Sequence, residues 1–521
     1  MFTQALQAIR WESDLSFYEE RSVAATFSRQ FEKLNEESGD LSNLLKLLSF
    51  FDPETIPVRM IIDGAKEWLR VQNELPTFKD SLSPVSSQFH SLTILITSPI
   101  KFQTALQKLQ SLSLVERRSD GRNSSLWMHD LIEFMMQDAA RKGESYRAWL
   151  QSSVSLVCCA FRLIMNVKSP ELWEDCEKFI SHLRSLDEKW GDERGMNREL
   201  SQANVRIARY MEYRGRYDEA VALLRRALSG YEKDLGEDHP DTLLSMDRLG
   251  CVYWRQGRYD DAVILHQRAL AGREKNLGAD HLDTLTSVTD LAHVYKSQGR
   301  YDEAEVLYQR ALAGRENFLG ADHLDTLTSV NNLGHIYRSQ GRYDGAVTLC
   351  RRALEGREKH LGAVHPDTLT SLNNLAHAYK SHGRYDEAET LYLRAVMGRE
   401  KHLGVDHPDT LTSVNNLANV HRSRAQYDKA EILLLRALAG REKHLGPVHR
   451  DTLSSVNNLA LLYELQGRYD EAEDLFRRAL VGREKHLGPN HPHTLISANH
   501  LHLFISRKNG TTKLDSSFSG Q

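Results

Sequence analysis

The chain has few cysteines, no long apolar run and no glycine-rich phosphate loop, and each lack closes off a class of function. Its five cysteines in 521 residues, Cys158, Cys159, Cys176, Cys251 and Cys350, are odd in number and show no C-x-x-C spacing. They read as reduced, structural thiols of a cytoplasmic protein, not as a disulfide framework or a zinc site. The most apolar stretch, Val154 to Val167, contains Arg162 and is only 14 residues long. That is short of the ~20 residues a membrane-spanning helix needs. Glu12 and Asp14 follow one short amphipathic run, a pattern unlike a signal peptide, so no membrane partner is expected. No G-x-x-x-x-G-K-[ST] occurs; Arg141-Lys142-Gly143-Glu144-Ser145 and Lys508-Asn509-Gly510 come nearest and lack the loop. Without such amides to cradle phosphates, no cofactor and no nucleotide hydrolysis are expected. A net charge of -4 leaves no reason to expect nucleic-acid binding. No Ser, Cys or paired carboxylate stands apart from repeat or core roles, so the chain is not expected to be an enzyme.

What is present is repetition. Gly-Arg-Tyr-Asp-Glu-Ala begins at Gly215 and returns, intact or lightly altered, at Gly257, Gly299, Gly341, Gly383, Ala425 and Gly467, a 42-residue period. A fixed period of this length predicts a solenoid in which each unit buries its apolar face against its neighbours. Within one unit, Leu285, Val288, Leu291, Ala292 and Tyr295 recur at helical spacing, and a second helix from about Tyr301 carries Ala304, Leu307, Tyr308, Ala311 and Leu312. The His281-Leu282-Asp283-Thr284 segment opens the first helix, with Pro as its second residue in the copies at His239, His365 and His407. Gly299 breaks the helices apart, and Leu319-Gly320 closes the second with a left-handed cap. The tyrosine of each hexapeptide, such as Tyr343, is expected in the core. Arg-Glu-Lys runs such as Arg399-Glu400-Lys401 are expected on the solvated outer face.

Placing Leu291 at position 7 of a tetratricopeptide repeat puts Ala292 at 8, Tyr295 at 11, Ala304 at 20, Tyr308 at 24 and Ala311 at 27, the sizes that pattern expects. The unit therefore resembles a tetratricopeptide repeat (TPR). Its 42 residues exceed the ordinary 34 through a longer second helix and the Leu-Gly-x-x-His-Pro-Asp-Thr-Leu connection, as in the kinesin light chain subfamily. No heptad coiled coil precedes the repeats, so the resemblance does not make the chain a motor subunit. The expected fold is mainly α, a right-handed α-solenoid of 42-residue TPR helix pairs preceded by a small winged-helix-like domain.

In such arrays positions 2, 5, 9 and 12 of the first helix line the concave side. Position 5 gives Asn331, Asn373, Asn415 and Asn457; position 6 gives Asn332, Asn374, Asn416 and Asn458; position 9 gives His335, His377 and Asn419; position 12 gives Lys296, Arg338, Lys380 and Arg422. Asparagine can both donate to and accept from the backbone of an extended peptide, and a cationic row selects acidic residues. Kinesin light chain repeats use similar asparagines for cargo peptides, which the resemblance carries to these positions. The expected partners are proteins or peptides with acidic segments. A polar solvated face is the plain alternative. The histidine pairs, such as His360 with His365 and His402 with His407, lack a ligand spacing, so no metal is expected; they read as turn structure and as charge placed at helix C-termini.

The N-terminal third differs. Leu44 to Phe51 form an apolar helix ending at Asp52-Pro53, a short helix follows Pro57, and a Ser-rich insert at 79–87 precedes a helix over about 101–112. Two short apolar runs about Ser119-Asp120-Gly121 predict a hairpin. With Met128-His129-Asp130-Leu131 directly after it, this region resembles the winged-helix end of an NB-ARC module of the STAND signalling ATPases. There the motif's histidine contacts ADP phosphates, a role the resemblance gives His129; without a phosphate loop in the chain, His129 is expected simply to order the wing. The expected layout is a helical NB-ARC remnant over 1–40, a winged-helix-like domain over 41–145, and a helical connector over 146–200. A TPR array of seven repeats plus a decayed C-terminal helix over 201–505 and a disordered tail over 506–521 complete it. Two functions follow: a non-enzymatic scaffold or adaptor, or the sensor half of a STAND/NLR-like switch. ADP or ATP would bear on the second only if a P-loop lies upstream.

Overall fold

A computed structural model describes residues 26–27, 29–36, 38–74, 84–120, 123–143, 145–163, 173–191, 198–489 and 491–518. Most of the NB-ARC remnant expected over 1–40 and most of the insert at 79–87 lie outside these residues. The chain forms two compact units, divided after Ile207.

In the first unit the helix Gly39–Leu48 buries Leu44, Leu45, Leu47 and Leu48, and Phe50 and Phe51 just beyond it are fully enclosed. Strand β1 (Ile56–Pro57), helices Val58–Glu74, Pro84–Thr97 and Pro99–Ser111, and strands β2 (Glu116–Asp120) and β3 (Asn123–Trp127) follow. The expected hairpin is β2 against β3, and β1 joins its other side in the order β1-β3-β2, with Ile56 opposite Leu126. Helix Pro84–Thr97 begins inside the segment read as an insert, because Pro fits a first helical turn. Gly64 lets helix Val58–Glu74 meet helix Tyr146–Arg162 closely: a Cβ there would sit 2.3 Å from the Leu156 carbonyl oxygen. His182, on helix Trp173–Trp190, accepts from the Asp52 amide at Nδ1 (3.1 Å) and reaches the Thr55 carbonyl at Nε2 (2.9 Å). Burial lowers its pKa to about 4, so it is a neutral cross-brace. Cys158, Cys159, Cys176 and Cys350 are buried and form no disulfide, and burial pushes the Cys159 thiol up to about 11 and Cys350 to about 12.

The second unit is an α-solenoid. From Arg198–Tyr213 with Tyr217–Leu235 to Arg450–Leu465 with Tyr469–Leu487, seven helix pairs succeed one another, and a last helix covers Pro492–Phe518. That helix runs on through the segment expected to be a disordered tail. Lys508 meets Asp470 (2.8 Å) and Glu473 (3.0 Å), and Arg507 meets Glu464 (2.9 Å), tying it to the preceding repeat. Each repeat seals its interior with an alanine pair and one side chain between them, a Tyr or Phe ring in three of the repeats: Ala304, Tyr308 and Ala311, then Ala388, Tyr392 and Ala395, are all fully buried, as are Ala472, Phe476 and Ala479. First helices of successive repeats touch each other directly, as Leu324–Ser339 does Pro366–Ser381, so they line the inner side of the curve.

The turns explain the hexapeptide. Gly299 (φ 78°) ends helix Leu282–Ser297, with Arg300 N–H donating to the Tyr295 carbonyl and Gly299 N–H to that of Lys296, the double bond of a Schellman cap. Arg300 then lies over the Tyr295 ring at 4.0 Å, as Arg342 lies over Tyr337 and Arg468 over Tyr463 at 3.6 Å. The sixth copy changes three residues together. Ala425 takes the left-handed conformation (φ 57°), and His421 replaces the tyrosine while Gln426 replaces the arginine, Nδ1 to Oε1 at 2.7 Å. The hexapeptide's own tyrosine, expected in the core, is there only in the first copy, where Tyr217 is buried: Tyr343 is half-buried and Tyr469 is 39% exposed. It opens the second helix, and the buried ring comes seven residues later. Gly320 differs from a left-handed cap as well, since its φ of 91° and ψ of 162° form an extended mirror-image bend open only to glycine.

The solenoid also returns on itself. His491 Nε2 lies 3.0 Å from the Arg255 carbonyl oxygen, and a Cβ on Gly257 would sit 2.5 Å from Pro492. A small cavity of about 90 Å³ between Trp254, Tyr259, Arg450 and His493 marks the contact.

Candidate functional site

The concave row at position 12 is built by one helix per repeat. Lys296, Arg338, Lys380 and Arg422 each lie one residue before the end of a first helix, and their neighbours from the same face are His293, His335, His377 and Asn419. All eight are half-buried. None of the four cations makes an ion pair among the described residues, and Arg338 Nε and Arg422 Nη1 are buried without a hydrogen-bond partner. The electrostatic strain is visible in the titration of the row. Burial, then Arg422 and Arg338, lower Lys380 to about 8; burial and Arg338 lower Lys296. Burial, with Lys296, Arg338 and His377 behind it, holds His335 at about 3, while burial with Arg338 and Lys380 holds His377 at about 4. Burial and Lys296 also hold His293 at about 3, and its ring bonds Asn332 of the next repeat. The groove is therefore lined by neutral imidazoles between crowded cations, a surface short of negative charge.

The row has ends. One repeat earlier its place is taken by Trp254, whose Nε1 donates to Ser297 Oγ at 2.6 Å, and one repeat later by Glu464, which pairs with Arg507. Four cations in register thus face the groove and no fifth follows.

The two asparagine rows separate. Asn332, Asn374, Asn416 and Asn458 are half-buried beside the cations, with Asn458 Nδ2 donating to Asn415 Oδ1 at 3.2 Å. Asn331, Asn373, Asn415 and Asn457, expected in the groove, are buried between repeats, Asn331 only 3% exposed. Asn331 Nδ2 donates to Ser371 Oγ (3.1 Å) and Asn373 Nδ2 to Ser413 Oγ (2.9 Å), so position 5 bonds the next repeat and not a ligand. At 3.6 residues per turn position 5 has rotated under the neighbouring helix.

The same seam holds a row that the sequence reading placed in solvent. Arg399 is 6% exposed; its Nη1 donates to Ser413 Oγ and the Asp409 carbonyl, both at 2.8 Å, and its Nη2 to Thr370 Oγ1 at 3.1 Å. Arg315, Arg357, Arg441 and Arg483 repeat the arrangement with Ser329, Ser371, Ser455 and Ser497. The signal was a serine 14 residues after each of these arginines, a distance the helix pair folds into contact.

The histidines that open the first helices are N-caps. The pairs divide: His360 and His402 lie in the last turn of a second helix, the C-terminal site expected, whereas Nδ1 of His365 and His407 accepts the amide two residues on at 3.2 Å at a helix N-terminus, where positive charge is unfavourable. His129 does the same for helix Asp130–Lys142, accepting from the Leu131 amide at 3.1 Å. Among the described residues, Asp247, His266 and Asp290 bring ligand-type atoms within 4.8 Å of one another. Asp247 stands there in the position-5 seam, already bound to Arg273, to His266 Nδ1 (3.0 Å) and to Ser287 (3.2 Å). No helix among the described residues is long and apolar enough to cross a membrane.

Models of the tetratricopeptide repeat match residues 199–443 in overlapping stretches and 452–493, together more than half of the chain. No curated protein matches significantly. Solved structures similar to it include kinesin light chain nearly identical TPR-like repeats from Podosopora anserina, at 30% identity over 38% of this chain and 95% of that one, TM-score 0.34. BtubC (BKLC) from P. vanneervenii is 23% identical over 44% and 91%, TM-score 0.35. A STAND protein with a tetratricopeptide repeat sensor from Pyrococcus horikoshii is 15% identical over 97% and 67%, TM-score 0.49.

Proposed function

Because the chain belongs to the tetratricopeptide repeat family, whose arrays are protein-interaction scaffolds, we propose that it is a non-enzymatic, cytoplasmic adaptor holding extended acidic peptide segments in its concave groove. One observation carries this reading. Among the described residues, Lys296, Arg338, Lys380 and Arg422 crowd one face without a counter-ion, and buried donors on Arg338 and Arg422 have no acceptor. A buried cation left unpaired is costly, and carboxylates placed there would relieve both the repulsion and the missing bonds. Asn332, Asn374, Asn416 and Asn458 supply donors and acceptors for a ligand backbone. A fluorescent acidic 12-mer, followed by anisotropy, should bind more weakly as salt rises, and Arg338→Gln with Lys380→Gln should cost at least ~10-fold in affinity. Equal affinity for the double variant would discard the reading.

A second reading makes the chain the sensor half of a nucleotide-controlled switch of the STAND kind. It is favoured by Met128-His129-Asp130 standing directly after the β2–β3 hairpin, with His129 at a helix N-terminus, a place suited to phosphate. On this reading ADP or ATP belongs to a P-loop domain upstream of the sequence described.

A further inference from the structure

The step of the cation row specifies the ligand more narrowly than its sign does. The four cations belong to four successive first helices; the helix of Arg338 packs directly on that of Lys380, and side chains bond across from repeat to repeat, His293 to Asn332 and Asn458 to Asn415. Directly packed helices lie about 10 Å apart. A ligand that satisfies all four must therefore present one negative charge about every 10 Å along a single side.

Few extended conformations do so. In a β-strand, side chains alternate faces at about 3.3 Å per residue, so residues three apart point to opposite sides and residues two or four apart fall at about 7 and 13 Å. An α-helix brings residues seven apart round to one face at about 10.5 Å, a matching step, but its backbone groups are bonded within the helix and offer nothing to groove asparagines. A polyproline II helix turns once every three residues and rises about 3.1 Å per residue, so every third side chain lies on one side at about 9 Å. It also leaves its own backbone unbonded, which is what groove asparagines need. Resting on the acidic-peptide reading above, we infer that the groove takes a segment in polyproline II conformation with an acidic residue at every third position, four in register.

Three features agree with that length and periodicity. Trp254 occupies the place before Lys296, and Glu464 the place after Arg422, so a fifth acid finds no cation at either end. On the helices that carry Arg338, Lys380 and Arg422, the only carboxylates are Asp325, Asp367 and Asp409, in the first turn, far along the helix from the row. The helix that carries Lys296 adds Asp290, which burial and Asp247 push up to about 6 and which lies with His266 and Asp247 toward the preceding repeat. Nothing on the helices of Arg338, Lys380 and Arg422 competes for the cations.

The test compares two labelled 12-residue peptides of identical composition, four Asp, four Pro and four Ala, titrated against the full chain. One carries Asp-Pro-Ala four times, and the other carries its four Asp contiguously. The spaced peptide should bind at least ~10-fold tighter, and Lys380→Gln should weaken it several-fold more than it weakens the contiguous one. Equal affinities, or tighter binding of the contiguous peptide, overturn the periodicity while leaving an acidic groove in place. Binding of neither peptide, with circular dichroism confirming a folded array, overturns the acidic groove and the periodicity with it.

Discussion

Two rows of cations run through the array at the same 42-residue period, and they could not be treated more differently. In the seam between repeats, Arg315, Arg357, Arg399, Arg441 and Arg483 give both terminal nitrogens to hydroxyls and carbonyls of neighbouring helices, only the Nε of Arg357 and Arg441 being left over. In the groove, Lys296, Arg338, Lys380 and Arg422 have no acceptor of opposite charge among the described residues. One row is bonded to its own protein, and on the reading proposed above the other is left for a ligand. Repetition alone therefore does not identify a binding residue; the supply of partners around it does.

The sharpest test of the contrast is pH, because the groove's histidines report its unrelieved charge. His293 and His335 are held at about 3 and His377 at about 4, burial being the first cause and the neighbouring cations the second. Their folded values lie below the ordinary ~6.5 of an unfolded histidine, so the unfolded chain takes up protons first as pH falls. The stability they contribute is whole above about 6.5 and is lost as pH drops toward 4. Each should cost on the order of 1 to 2 kcal/mol by pH 5, several kcal/mol in all. Asp290, raised to about 6, works the other way and recovers part of it. Thermal melts from pH 7.5 to 5 should show a falling midpoint, and an acidic peptide should flatten the slope. A midpoint independent of pH would mean the groove is not strained.

Next in size is the seam. Arg399→Ala removes bonds to Ser413, Asp409 and Thr370 in a buried place. Hydrogen bonds to a charged group are worth about 1.5 to 3 kcal/mol, and orphaned partners add to the loss, so about 3 kcal/mol should go. Urea unfolding with an unchanged slope would measure it. A loss under ~0.5 kcal/mol would put this arginine back in solvent, where the sequence reading had it.

That misplacement shows where sequence reasoning stops. Helix boundaries, the alanine-lined interface and the glycine turns follow from local rules: apolar spacing, Pro at the first turn, Gly at positive φ. The solenoid was legible in them, as was the β2–β3 hairpin. Position 5 against position 6, Asn373 against Asn374, could not be separated, because adjacent residues differ by 100° of helix rotation and the seam begins between them. Arg399 looked like its neighbours Glu400 and Lys401, and only the serine 14 residues on, brought close by folding, distinguishes it. The tyrosine of the hexapeptide was misread for a similar reason. Its invariance reflects the turn, while the enclosed ring at Tyr308 and Tyr392 sits two helical turns further along. The contact of His491 with Arg255, 236 residues apart, has no local trace at all.

The smallest predicted effect bears most directly on function. Lys380 is depressed to about 8, with burial first and then Arg422 and Arg338 as causes, whereas an unfolded lysine titrates near 10.4. A cation whose folded pKa is lowered destabilises the fold wherever it is charged, so its burden is complete below about 8 and disappears as pH rises past 10. Lys380→Gln should therefore stabilise the free array at pH 7 by about 1 kcal/mol, after discounting for the solvent that still reaches the side chain. The gain should vanish near pH 10.5. The same substitution weakens an acidic ligand, so stability and binding move in opposite directions at one residue. A seam arginine cannot behave that way, since its removal loses stability without exposing any surplus charge. If Lys380→Gln instead destabilises the array at pH 7, an acceptor within the protein already satisfies that ammonium and the groove row is a second seam.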